Sequence, residues 1–269
     1  MPGRQGGRSV GGMRPTSSIK GTVTEAVFGY AYERGDRPAL IDLGAGVVYG
    51  YRRLADEVTR GASGLVRRGA RRRQVAGIHV DNAAAQTLAV HTVIAAGGVA
   101  APVASWGGAA AELLARWDAR LLITTPDLAE TSLLAAEASR VRQVIAFGQA
   151  RDTVDFADLL LLEPGPLPLF DPSVQPALLT EDEGLFTHQE LIARMHELGG
   201  HTVLEKSDVL LVTWSLDCTL AMTTLVGLAL MRGALVVVAP GLSPTELSAT
   251  IHDFGVTVMA LLDGAVQRV

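Results

Sequence analysis

The sequence predicts an α/β protein of layered, parallel-rich sheets with helices on both faces, arranged as two α/β subdomains. Three observations carry this. From Val75 onward, short apolar runs alternate regularly with stretches of helical length. The runs are continuously apolar, as strands buried on both faces of a parallel sheet are. The rhythm breaks at a Pro-rich stretch, EPGPLPLFDPSVQ (163–175), and resumes after it. That stretch reads as a linker between a first subdomain at 22–162 and a second at 176–269.

Taken in order, residues 1–21 are rich in Gly, Arg and Ser and lack periodicity, the composition of a disordered tail. A first helix is expected over 22–34. Two short strands, 39–43 and 46–49, flank Gly44 and Ala45 as a hairpin. In the next stretch Tyr51, Leu54, Ala55, Val58, Ala62 and Leu65 share one helical face, and Gly69 stops the helix. Gly61-Ala62-Ser63-Gly64 lies inside this pattern and reads as a packing site. Arg67, Arg68 and Arg71 to Arg73 follow as a solvated, dipole-matched helix end. Strands are then expected at 75–80, 99–104, 121–124 and 143–147, with helices at 83–96, 109–119 and 128–139. A short helix or turn at 156–162 closes the first half.

After the linker come a strand at 176–180 and a helix at 187–198, the latter opened by a Thr187/Glu190 capping box. A strand at 208–213, a helix at about 216–232 and a strand at 234–239 follow. A Ser243/Glu246 box with Pro244 opens a helix ending at Gly255, and a last strand spans 256–262. No closing element is evident beyond it.

Composition narrows the function classes. Net charge is −5 over 269 residues. With a pI near 5.7, nothing argues for nucleic-acid binding. Lys20 and Lys206 are the only lysines. Cys218 is the single cysteine, which excludes an intrachain disulfide and makes a reducing, cytoplasmic setting the expectation. An Asp217-Cys218 pair is no nucleophile, since an adjacent carboxylate raises a thiol pKa. The apolar stretch 209–231 is interrupted by Asp217, so no membrane span is expected. Mean hydropathy is nonetheless +0.28, which implies much buried sheet or a sticky surface. His188, His196 and His201 do not fall on one face, so no metal is expected.

The stretch PALLTEDEGLFTHQE (176–190) carries most of the functional argument. It reads as a strand running through Glu181-Asp182-Glu183-Gly184 into a helix N-terminus. Phosphates bind at such a place in many α/β proteins. Here three carboxylates occupy the turn, with one glycine and no lysine. Repulsion of an anion there is on the order of several kcal/mol.

From about Thr22 to Val269 the chain resembles the N-terminal half of the adenylate-forming superfamily, the acyl-CoA synthetases of the 4-coumarate–CoA ligase type in particular. The resemblance rests on order and spacing. DRPALIDLGAGVVYGYRRLADEV is similar to the family's opening, with Tyr51 and Leu54 at its T-Y-x-x-L positions. The stretch from Gly64 to Val103 resembles its first βαβ unit, including Asn82 and Pro102. FTHQEL at 186–191 resembles L-T-H-x-N-L, and 207–238 and 242–269 continue in step.

The resemblance implies a truncated N-terminal domain, with the second subdomain incomplete. It also shows departures. The family's S-G-T-T-G-x-P-K-G loop, which holds ATP phosphates, is missing between Leu179 and Thr187. Its P-x-F-H acyl-pocket motif is here Ser215-Leu216-Asp217-Cys218. The resemblance thus leaves Thr180, Thr187 and His188 as a remnant of the nucleotide-site region, and Leu216, Asp217 and Cys218 as a remnant of the substrate pocket. No catalytic residue is assigned. Each lost donor costs about 3 kcal/mol of transition-state stabilisation.

The expectation is therefore a catalytically inactive scaffold or pseudoenzyme that needs no cofactor; retained family activity would require ATP, Mg and CoA. Two alternatives are an acid–CoA ligase whose partner supplies the missing half, and a non-catalytic acyl- or CoA-binding module. The truncation would leave strands in 208–262 uncovered, so self-association or docking on a full-length relative is expected.

Overall fold

The computed structural model describes residues 21–103, 108–182, 184–214, 219–261 and 266–269. The tail at 1–20 and the Ser215–Cys218 motif therefore lie outside the described residues.

The Thr22 side chain accepts from the Glu25 amide while the Glu25 carboxylate accepts from the Thr22 amide, a capping box that starts α1 (Val23–Phe28). The single helix expected over 22–34 is two. Tyr30, at ψ 13°, leaves helical geometry before α2 (Ala31–Arg34). Strands β1 (Pro38–Asp42) and β2 (Val47–Gly50) form the expected hairpin, with Gly46 at φ +64° supplying its left-handed step. Helix α3 (Tyr51–Arg67) buries the predicted face. There follow β3 (Val75–His79), α4 (Ala83–Ala95), β4 (Val99–Pro102), α5 (Gly108–Arg116), β5 (Leu121–Thr124), a 3-10 turn at Pro126–Leu128, α6 (Ala129–Glu137), β6 (Gln143–Ala146), β7 (Val154–Asp155) and α7 (Ala157–Leu160). The second half holds β8 (Pro176–Thr180), β9 (Gly184–Thr187), α8 (His188–His201) and β10 (Val209–Val212). Then α9 (Thr219–Ala221) runs through a π turn (Met222–Val226) into α10 (Gly227–Arg232), followed by β11 (Leu235–Val238), α11 (Pro244–Phe254), β12 (Val258–Ala260) and β13 (Val266–Arg268).

A 7-stranded sheet has the order β7-β6-β5-β3-β4-β8-β9, and a 6-stranded sheet the order β13-β12-β10-β11-β1-β2. Both are parallel except at edge strands β2, β9 and β13. The sheets do not divide at 163–175 as the linker reading expected. The early hairpin β1–β2 joins the late strands, Leu40 lying opposite Val236. The later pair β8–β9 joins the early sheet, Leu178 lying opposite Ala100. A two-stranded hairpin is marginal by itself; here β11 pairs with the open edge of β1, and the central layer buries Leu40 fully. The exchange of strands interlocks the two halves.

Five layers result. Helices α5 and α6 cover the outer face of the 7-stranded sheet through Leu113, Leu114, Leu122 and Val144. The central layer, α1, α3, α4, α8 and α10, packs between the sheets. Helix α11 covers the outer face of the 6-stranded sheet through Leu247 and Ile251 against Leu211 and Val237. Successive strand residues serve opposite layers: Leu210 and Val212 face the centre, Leu211 faces α11. This two-sided burial accounts for the unbroken apolar runs and the positive mean hydropathy.

It also corrects the expectation of an uncovered sheet at 208–262. Leu210, Leu211, Val236, Val237 and Val258 are all buried: α11 folds back over Leu211 and Val237, and the central layer covers Leu210, Val236 and Val258. Strand β13 pairs antiparallel with β12, and the Arg268 guanidinium donates to Asp208 at 3.1 Å. It escaped the sequence reading because VQR carries little apolar signal.

The glycines of α3 confirm a packing role. A Cβ on Gly64 would lie 2.6 Å from the Leu159 carbonyl oxygen and 2.7 Å from Leu159 Cβ. Backbone cannot yield as a side-chain tip can, so Gly64→Ala is expected to cost about 3 kcal/mol. Gly227→Ala meets the flexible end of Met195, at 2.6 Å from Cε, and is expected to cost about half as much. Urea unfolding of the two variants checks the ranking.

Candidate functional site

Ligand crevices in α/β sheets open at the carboxyl ends of parallel strands. Here the ends of β1, β11 and β10 face those of β3 and β5 across a cavity of about 490 Å³ lined by Asp42, Asp81, Asn82, Asp127, Trp214 and Pro240, among others. Its centre is the N-terminus of α4. Asp42 Oδ2 accepts from the Ala83 and Ala84 amides at 2.8 and 3.1 Å, and Oδ1 accepts from Ala45 at 3.0 Å. Asn82 Oδ1 accepts from Ala85 at 2.8 Å. A carboxylate that is only 2% exposed thus takes the place an anionic ligand would have at this helix. Among the described residues, three carboxylates and no Lys or Arg line the cavity. Trp214 forms part of the wall, its Nε1 donating to the Ala260 carbonyl at 3.1 Å.

The Thr180 turn opens on the same side, since β8 runs parallel to β4. Glu181 and Asp182 are exposed there. However, the turn does not lead into a helix. Gly184, at φ +93°, starts β9, which returns antiparallel to β8. The expected strand–turn–helix is a hairpin, and Thr187 pairs with Pro176 at its far end. Four residues at about 3.3 Å each put Thr187 and His188 roughly 13 Å from Thr180. The short apolar run Leu185-Phe186 was the available signal for β9.

The N-terminus of α8 also lacks free donors. The Thr187 amide donates to Glu190 Oε2 at 2.8 Å, His188 to the Gln175 carbonyl at 3.2 Å, Gln189 to Pro172 at 3.1 Å, and Glu190 to Thr187 Oγ1 at 3.2 Å. His188 is fully buried, and its Nδ1 accepts from the Val23 amide at 3.1 Å. Its ring lies on Phe170 with centroids 4.9 Å apart. Burial pushes its pKa down to about 4, so it is a neutral strut between α1 and α8. Of the three remnant residues, Thr180 lies at the crevice side, while Thr187 and His188 serve the framework. Leu216, Asp217 and Cys218 lie outside the described residues, between the crevice wall at Trp214 and the start of α9. His196 and His201 are exposed on α8. No group of three or more His, Cys, Asp or Glu among the described residues is placed to hold a metal. No helix among them is long and apolar enough to cross a membrane.

A second polar feature was not anticipated. Helix α4 is buried on all sides, yet carries Gln86 and His91 against the π turn. Thr223 and Thr224 hydroxyls donate to the carbonyls of Thr219 and Leu220 at 2.9 and 2.8 Å, and such back-bonding widens a helix locally. Gln86 Nε2 and His91 Nδ1 have no partner among the described residues. Burial, then the neighbouring His188, pushes the His91 pKa down to about 3.

The chain belongs to the AMP-binding enzyme family, whose model matches residues 28–171. Its architecture is that of the N-terminal domains of acyl-CoA ligases. A putative long-chain-fatty-acid CoA ligase from Rhodopseudomonas palustris superposes with TM-score 0.81 at 21% identity, over 93% of this chain and 67% of that one. The N-terminal domain of FACL13 from Mycobacterium tuberculosis gives 0.77 at 15%, over 89% and 62%. Apo MbtA from Mycobacterium smegmatis gives 0.76 at 24%, over 90% and 48%. The chain spans about half to two thirds of the length of these structures, and at these identities the likeness is one of fold. No curated protein sequence matches it.

Proposed function

We propose that the chain is a catalytically silent relative of the acid–CoA ligases, similar to the 4-coumarate–CoA ligase type, that keeps the layered scaffold without the phosphate loop. The observation behind this is electrostatic. Asp42, Asp81 and Asp127 line the crevice, Asp182 and an Arg116-paired Glu181 are exposed on the turn after β8, and the α4 amides are already taken, which disfavours a polyphosphate there. Adenylate formation needs preorganised cations or amides at the α-phosphate, and lacking them costs about 3 kcal/mol each. The test is release of AMP from MgATP with a panel of aryl and fatty acids and CoA present. The expected rate equals that of buffer; acid-dependent AMP release would overturn the reading.

A second reading, a small-molecule binding module without chemistry, is favoured by Gln86 Nε2 and His91 Nδ1, which lack a hydrogen-bond partner among the described residues beside the π turn. Saturable binding of an aryl or acyl-CoA ligand without turnover supports it.

A further inference from the structure

At the opposite end of the 7-stranded sheet, the amino ends of the neighbouring strands β3, β5 and β6 border an open groove of about 680 Å³. Arg68, Arg71, Arg72, Arg73, Arg120 and Arg142 line it, against the single carboxylate of Asp118. That carboxylate is already saturated, accepting from Arg120 at 2.9 Å and from Arg140 at 3.0 Å. The groove therefore holds a large positive excess in a chain whose net charge is −5.

The arginines are not equivalent. Arg72 donates to Gln175 Oε1 at 3.3 Å and Arg73 to the Val174 carbonyl at 3.0 Å, which pins their loop against the segment before β8. Arg68, Arg71 and Arg142 have no side-chain partner among the described residues. Two of the loops that border the groove are held in unusual geometry. Arg73 at φ +63° and Asp118 at φ +51° both occupy the left-handed region. That conformation costs a non-glycine residue about 1 kcal/mol, and arginine has no short polar side chain to offset it. Backbone strain of this kind accumulates at ligand sites.

A solvated helix end, the reading suggested by the sequence around Arg67 to Arg73, explains only part of this. The C-termini of α3 and α5 do point here, and each carries about half a negative charge. Together they answer about one of the excess positive charges. Arg142, at the start of β6, also follows the C-terminus of α6, whose half charge still leaves most of the positive excess unanswered. The cavity size falls in the range of small-molecule sites, about 300–1,000 Å³. Trp117 supplies an aromatic wall. Guanidinium groups recognise phosphate oxygens bidentately.

We infer that this groove binds a phosphorylated small molecule carrying a di- or triphosphate chain, at a site separate from the crevice and independent of any activity there. The probe is inorganic tripolyphosphate, titrated by calorimetry at low ionic strength into the full chain. Three proteins are compared: wild type, Arg68→Gln/Arg142→Gln, and Arg151→Gln as a single-charge control on an exposed loop beyond the carboxyl end of β6. Saturable 1:1 binding in wild type and control, weakened at least tenfold in the double variant, is the expected result. Quenching of Trp117 emission, absent in Trp117→Phe, locates the ligand independently. No saturable binding to wild type overturns the inference, as does equal affinity in the double variant. It is likewise overturned if polyglutamate or anionic vesicles bind through these arginines and tripolyphosphate does not.

Discussion

Asp42→Ala is expected to remove about 2–6 kcal/mol of stability, a large share of what holds the chain folded. The side chain is buried at the join of the two sheets, and its two oxygens accept three backbone amides. Truncation leaves the Ala83 and Ala84 donors dry, at about 1–3 kcal/mol each, while Ala45, on an exposed turn, can turn to water. A protein of this size commands only about 5–15 kcal/mol in total. Asp42→Asn keeps one acceptor oxygen and the shape, so about half of the loss is expected. Urea midpoints for the two variants measure this directly. If Asp42→Ala unfolds like wild type, the α4 N-terminus is satisfied by something else, and the crevice is open to anions.

The periodic elements were legible because physics writes them locally. Continuous apolar runs marked β3 to β6, β10 and β11, while Thr187/Glu190 and Ser243/Glu246 marked helix starts that the structure reproduces as capping boxes. Sheet membership was not legible. Whether Leu40 pairs beside Val236 or beside a strand closer in sequence depends on which edge is open, and no local pattern encodes that. The same limit shaped the candidate site. Thr180, Thr187 and His188 sit close together in the chain, yet the return strand β9 places them at opposite ends of a hairpin. Asp42 carried no sequence signal at all, because its role as the cap of α4 arises from a contact 41 residues away. The basic run after α3 was visible, but its convergence with Arg120 and Arg142 required the parallel sheet to align three strand starts.

Acid is expected to destabilise the protein well before its carboxylates protonate, through two histidines. Burial holds His188 at a pKa of about 4 and His91 at about 3. In the unfolded chain both return to about 6.5. Below that pH the unfolded state takes up protons that the folded state refuses, so stability is fully present above pH 6.5 and falls with pH. The slope is about 1.4 kcal/mol per unit for each histidine. It persists to about pH 4 for His188 and to about pH 3 for His91. Between pH 7.5 and 5 the pair therefore costs about 4 kcal/mol. His79, also shifted down by burial, acts in the same direction. Hydrogen-bonded carboxylates such as Glu190 and Glu246 are held below their usual range and add their loss only at lower pH. The check is urea unfolding at pH 7.5 and 5.0 for wild type and for His91→Gln/His188→Asn, the asparagine keeping an acceptor for the Val23 amide. The double variant is expected to lose most of the pH dependence, even if its stability at pH 7.5 is lower. An unchanged slope would mean that these histidines titrate normally and that the central layer is wetter than its packing implies.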